Sequence, residues 1–100
     1  MKNQLLDGGI PPTLVAVDSP TALTCDVNKE VDAQHLACPL PLLKAKQGLR
    51  DLKEGDLLRV FTTDAGSLKD FVSFAQLTGQ VIERFCVQDA CYCFVIRKQE

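Results

Sequence analysis

Residues 36–63, LACPLPLLKAKQGLRDLKEGDLLRVFTT, set a helix and a strand side by side. From Pro39 to about Leu52, the residues Leu42, Ala45, Leu49 and Leu52 recur at helical spacing and make one apolar stripe. Lys44, Lys46, Gln47 and Arg50 take the other faces, and Gly48 weakens the helix somewhat. KEGD, 53–56, is a turn. LLRVFTT, 57–63, is apolar without alternation, the pattern of a strand buried on both faces. A helix feeding such a strand points to an α/β layer structure.

The flanks extend the pattern. EVDA, 30–33, is a short strand. DAGS, 64–67, is a loop in which Ser67 caps a second helix, with Asp70 three residues on in a near capping box. Leu68, Phe71, Val72, Phe74 and Ala75 face inward, and Gly79 closes this helix. QVIERFCV, 80–87, and CYCFVIR, 91–97, are two strands of a hairpin turning at QDA. The order βαβαββ predicts an α/β (α+β) two-layer sandwich, with two helices on one face of a four-stranded mixed sheet. The first two crossovers are expected to be right-handed and to join parallel strands, with the last strand antiparallel. Residues 1–26 read differently. DGGIPP and VDSPTA are turn-rich, and TLVAV, 13–17, reads either as a short strand or as an apolar patch in a flexible arm. The chain is therefore divided into a partly flexible extension, 1–26, and a domain, 27–100.

The totals exclude several classes. Among 100 residues, 46% are hydrophobic and 24% charged, as in an ordinary soluble domain. A net charge of -2 calls for neither nucleic acid nor an anionic membrane as partner. No apolar run approaches the ~20 residues of a membrane span. MKNQLLDGGIPP is too polar and too soon broken for a signal peptide. Five cysteines, an odd number, with no secretory signal favour reduced thiols and a cytoplasmic location.

Cys38 carries the chemistry. On this reading it is the N-cap of the first helix. Pro39 and Pro41 then occupy positions whose missing N–H groups leave no helical partner wanting, and they stiffen the helix start. The Leu40 N–H is left to point at the sulfur. The helix dipole, and Lys44 and Lys46 if near, favour thiolate, and cysteines in such settings have pKa values about one to several units below ~8.5. A C-x-x-C oxidoreductase would need a resolving thiol where this chain has Pro41. A lone exposed thiolate can carry a group; a persulfide sulfur is the most natural one in a reduced cytoplasm, but pattern and spacing alone do not choose the cargo.

From about Val31 to Lys98 the chain resembles the TusA/SirA family of sulfur carriers. The resemblance rests on Cys38-Pro39-Leu40-Pro41 opening the first helix, with KEGDLLRV (53–60), TTDAGSLKDFVSF (62–74) and CFVIRK (93–98) following in register. It implies a two-layer α/β sandwich in which Cys38 takes persulfide sulfur from a cysteine desulfurase or another sulfurtransferase. The sulfur then passes to an acceptor protein, for tRNA thiolation, molybdenum cofactor assembly or related sulfur metabolism. It implies docking roles for the basic residues Lys46 and Arg50, and matches Asp64 to an acidic position after the second strand. Strand order agrees, since loops after two parallel strands share one carboxyl edge. The chain departs from the family at Gln34 and His35, where a basic residue and glycine are common, and at Asp64-Ala65, where Asp-Pro is frequent. His35 is either a surface loop residue or a group that tunes Cys38. No cofactor and no metal is implied, and a monomer suffices.

Cys91 and Cys93 share one face of their strand, and Cys86 lies on the neighbouring one. Zinc would need a fourth ligand, so these read as small strand residues, with Cys91 and Cys93 looking out from the open side of the sheet. The alternative function is a non-catalytic regulatory or interaction module of the same fold. Direct nucleic-acid binding is disfavoured by the acidic balance and the absence of interleaved basic and aromatic residues.

Overall fold

The computed structural model describes residues 10–99. Its elements are α1 (Pro12–Val15), a 3₁₀ turn (Pro20–Leu23), β1 (Lys29–Ala33), α2 (Leu40–Arg50), β2 (Leu57–Thr62), α3 (Ser67–Thr78), β3 (Val81–Gln88) and β4 (Cys91–Arg97). The four strands form one mixed sheet in the order β1-β2-β4-β3. β1 and β2 are parallel, and β4 runs antiparallel to both β2 and β3. The first three strands therefore point the same way. β4 takes the slot between β2 and β3, so those two are not neighbours. Its apolar run suits a central place: Tyr92 to Ile96 are all buried. No helix among the described residues is long and apolar enough to cross a membrane.

The main core lies between the sheet and the helices. Leu58 and Val60 of β2, Phe85 of β3, and Tyr92, Phe94 and Ile96 of β4 meet Ala45 and Leu49 of α2 and Leu68 and Phe71 of α3. Leu42 and Leu52 complete the stripe read from the sequence. Phe94 stacks on Phe71 with ring centroids 4.4 Å apart and tilts against Phe85 at 5.2 Å. Gly48 has a reason beyond its poor propensity. A Cβ there would lie 3.0 Å from both Leu58 Cδ1 and Val31 Cγ2, so glycine lets α2 sit close on β1 and β2. Gly79 closes α3 at φ 79° with its N–H on the Ala75 carbonyl, as read from the sequence.

Three local expectations are corrected. TLVAV is not a strand: Pro12–Val15 form a helical turn whose Leu14 is buried in the main core. Pro12 starts that turn, as proline favours at a first helical position. The chain then passes along the free edge of β3, where Phe85 donates its N–H to the Val17 carbonyl and accepts one from Ser19. This single bridge pairs the outward N–H and C=O of Phe85 and interrupts the free edge of β3 at its middle. The flexible-arm reading of residues 1–9 lies outside the described residues.

The second correction follows from the first. The open side of the sheet is not open at Cys93, because residues 20–27 lie over it. Ala22, Cys93 and Val95 are buried there, with Leu23, Cys25, Val27, Phe61 and Cys86 packed around them. Arg59 of β2, 6% exposed, pins the cover. Its Nε donates to the Ala22 carbonyl at 2.9 Å, and its guanidinium also donates to the Cys25 carbonyl and the Glu30 carboxylate. A buried guanidinium with every direction paired is the arrangement that makes such burial tolerable.

The third concerns α3. Ser67 is its first residue and not its cap. Gly66 holds the cap position without a side-chain hydrogen bond, and Ser67 is buried with its hydroxyl 3.4 Å from Thr62 Oγ1. The capping box does not form, which leaves Asp70 free for another partner.

Candidate functional site

The site sits where β1 and β2 end. Parallel pairing of these strands puts the loops 34–39 and 63–66 on one sheet edge, with the N-terminal turns of α2 and α3 above them. His35 N–H donates to Thr63 Oγ1 at 2.8 Å, and Cys38 N–H donates to Asp64 Oδ2 at 2.8 Å. The two loops are thereby stitched together around the thiol.

The start of α2 differs from the sequence reading by one residue. Pro39 takes the cap position, Leu40 begins the helix, and Pro41 lies buried at its second position. The Cys38–Pro39 peptide is cis. The Leu40 N–H does not reach the sulfur; it closes a turn onto the Ala37 carbonyl at 2.9 Å. The thiol instead donates to the carboxylate of Asp70, from the first turns of α3.

That contact reverses the expected electrostatics. The Cys38 thiol is pushed above its ordinary value, first by its hydrogen bond to Asp70, then by desolvation, and then by the charges of Asp70 and Asp64. A carboxylate against a sulfur disfavours a second negative charge there. A helix dipole amounts to about half a charge and acts only over its first turn, so two nearby full charges outweigh it. The surroundings of the sulfur therefore favour the thiol over the thiolate.

The other residues singled out from the sequence divide into two groups. Asp64 is brought to Cys38. Lys46 and Arg50 are not: at 1.5 Å per residue they stand about 9 and 15 Å along α2 from Leu40. They line a shallow hollow with Leu49, Phe74, Thr78, Gln80 and Lys98, and the Lys46 ammonium lies 5.6 Å from the centre of the Phe74 ring. They form a basic strip farther along α2, away from the thiol. Leu40 and Leu43, 46% and 45% exposed, give the N-terminal end of α2 an apolar rim. Asp70 is the site residue that sequence reasoning missed, because it was assigned to a local cap.

His35 is exposed with φ 66°, a left-handed conformation that suits glycine. An L-residue there costs about 1–2 kcal/mol, and glycine recovers it less about 0.5–1 kcal/mol of extra unfolded-chain entropy. His35→Gly is expected to raise stability by up to about 1.5 kcal/mol, read as a higher thermal midpoint. A lower midpoint would show that the imidazole makes a compensating contact.

Of the five cysteines, Cys38 alone is exposed; Cys25, Cys86 and Cys91 are half-buried and Cys93 is buried. Cys93 does not look outward. It lies under Ala22, and burial pushes its thiol up to about 12. Burial also raises Cys86 and Cys91. None of the three matches Cys38 in access.

Comparison with known proteins identifies the family and the fold. Residues 29–98 match the family model described as sulfurtransferase TusA. The chain is 41% identical over 73 residues to the sulfur carrier protein TusA of Allochromatium vinosum, covering 73% of this chain and 96% of that one. It is 37% identical over 70 residues to a putative sulfur carrier protein of Neisseria meningitidis serogroup A, covering 70% and 95%. The crystal structure of a SirA-like protein from Desulfitobacterium hafniense superposes with a TM-score of 0.63 at 23% identity, over 72% of this chain and 99% of that one, which shows a shared fold.

Proposed function

The chain belongs to the TusA sulfurtransferase family, and from that membership we propose that it is a sulfur-relay carrier holding persulfide sulfur on Cys38. The observation that supports this most directly is the exposure of Cys38 alone among five thiols, at the edge where two strand ends and two helix starts converge. A donor must bring its own persulfide into contact with the accepting sulfur, so access decides which thiol serves.

Loading conserves atoms and electrons. The Cys38 sulfur attacks the terminal sulfur of the donor persulfide and forms a new S–S bond. The donor's S–S bond breaks, and the donor cysteine leaves as thiolate and takes up a proton. Unloading repeats the step with the acceptor as nucleophile and Cys38 as leaving group. A cysteine desulfurase or another sulfurtransferase is the donor, and a downstream protein is the acceptor. A reducing compartment, the cytoplasm, suits a carrier whose other thiols are free. Leu40 and Leu43 offer partners an apolar contact beside the sulfur, and Lys46, Arg50 and Asp64 add charge that orients docking.

The test is mass spectrometry of the intact protein after incubation with a cysteine desulfurase and cysteine, and in parallel with a thiosulfate sulfurtransferase and thiosulfate. The expected result is a gain of one sulfur atom, removed by reductant and mapped to the peptide containing Cys38. No gain from either donor, or a gain mapped to another cysteine, overturns the proposal.

A further inference from the structure

Asp70 is not absorbed by the carrier reading, yet it touches the reacting atom. It stands in the first turns of α3, and its carboxylate accepts the hydrogen bond of the Cys38 thiol. Its place is held from behind by Phe71, the next residue, which is fully buried and stacked on Phe94. Asp64, from the loop after β2, is engaged by the Cys38 backbone N–H and not by the sulfur. The charged groups acting on the thiol come from these two carboxylates, one on α3 and one in the 63–66 loop. The side chains have separate tasks: Asp64 fixes the backbone and Asp70 meets the proton.

Resting on the carrier reading above, we infer that Asp70 is a catalytic residue that holds the Cys38 proton in the unloaded carrier and takes it up when sulfur arrives. In the free protein the sulfur is exposed, and water can remove its proton. Against a docked donor, with Leu40 and Leu43 covered, water is excluded and the proton needs an acceptor already in place. Asp70 is that acceptor. As the Cys38 Sγ bonds to the sulfane sulfur, the thiol proton passes to the Asp70 carboxylate, and from there to the departing donor thiolate. The donor S–S electron pair leaves with the donor cysteine, so no oxidant or reductant enters. While no donor is bound, the same contact keeps the thiol protonated and slow towards stray electrophiles.

This assignment makes two rates move in opposite directions. Asp70→Asn removes a negative charge from the sulfur and lowers the thiol pKa. For each unit, thiolate rises about tenfold while its intrinsic nucleophilicity falls about threefold, a net gain of about threefold in reaction with a small electrophile at neutral pH. Alkylation of Cys38 by iodoacetamide, followed by peptide mass against pH, is therefore expected to speed up at pH 7, with its midpoint shifted to lower pH. Loading from the cysteine desulfurase is expected to fall, by about 10²-fold or more if the base is fully lost. Asp70→Glu restores the carboxylate and is expected to recover part of the loading, and circular dichroism checks that each variant is folded.

Faster alkylation with loading unchanged or faster shows only a charge effect and overturns the assignment. A fall in both rates shows a positioning role without proton transfer and also overturns it. The failure of the underlying reading looks different. If wild type takes up no sulfur, or Cys38→Ser takes it up as wild type does, the carrier role itself is wrong. The alkylation profile then still decides whether Asp70 holds the proton, since an unshifted midpoint in Asp70→Asn refutes that too.

Discussion

Cys38→Ser is expected to leave a folded protein that takes up no sulfur at position 38. Cys38 is exposed and contributes nothing to either packed cluster, so the substitution creates no cavity. The contacts that shape the site survive it. The backbone N–H at 38 still donates to Asp64, and a serine hydroxyl can donate to Asp70 as the thiol does. A surface change of this kind falls within about 0.5 kcal/mol of wild type, so the thermal midpoint should hardly move. The chemistry does not survive. A hydroxyl is a poor nucleophile at neutral pH and cannot enter the chain of S–S exchanges by which sulfane sulfur moves. Intact mass after incubation with a charged donor should show the one-sulfur gain on wild type and none on the variant. Cys93 is a weak substitute, because it is buried and its thiol is pushed up to about 12. A variant that gains sulfur at the wild-type rate would move the function to Cys25, Cys86 or Cys91.

The elements that carry this site were legible because their periods are long and unambiguous. α2 shows its stripe over three turns, and β2 and β4 are apolar runs bounded by turns. The juxtaposition of Cys38 with Asp64 was legible too, since parallel strands must end on one edge. Asp70 was not, because its spacing from Ser67 fits a local cap equally well. Only the packing of α3 beside the start of α2 decides between a bond three residues away and one to Cys38. The sign of the thiol shift failed for the same reason: a dipole follows from helix order, whereas the two carboxylates come from elsewhere in the chain. The burial of Cys93 depends on residues 20–27, whose anchor is Arg59, far along the sequence. Five residues of TLVAV are too few to separate helical from strand spacing, though Pro12 at a helix start was a usable signal.

Phe94→Ala should give the largest loss of stability among the changes considered, about 3–5 kcal/mol. Phe94 is fully buried on β4, between β2 and β3, and is the only ring in contact with both Phe71 and Phe85 among the described residues. Removing it opens a cavity and also ends a near-parallel stack at 4.4 Å, worth about 0.5–1.5 kcal/mol beyond the buried area. Domains of this size hold about 5–15 kcal/mol in all, and each kcal/mol moves the midpoint by about 4–8 °C. A fall of about 15 °C or more is expected in a thermal melt. Phe94→Leu, which keeps most of the volume, should lose markedly less. The consequence reaches the site because Phe71 adjoins Asp70, so the stack sets how firmly α3 presents its carboxylate to Cys38. At temperatures where Phe94→Ala is still folded, its iodoacetamide profile should shift in the direction of Asp70→Asn, by a smaller amount. A melt lowered by only a few degrees would mean that Phe71 and Phe85 collapse into the space. An unshifted profile would mean that Asp70 is held by the start of α3 alone, without help from the aromatic core.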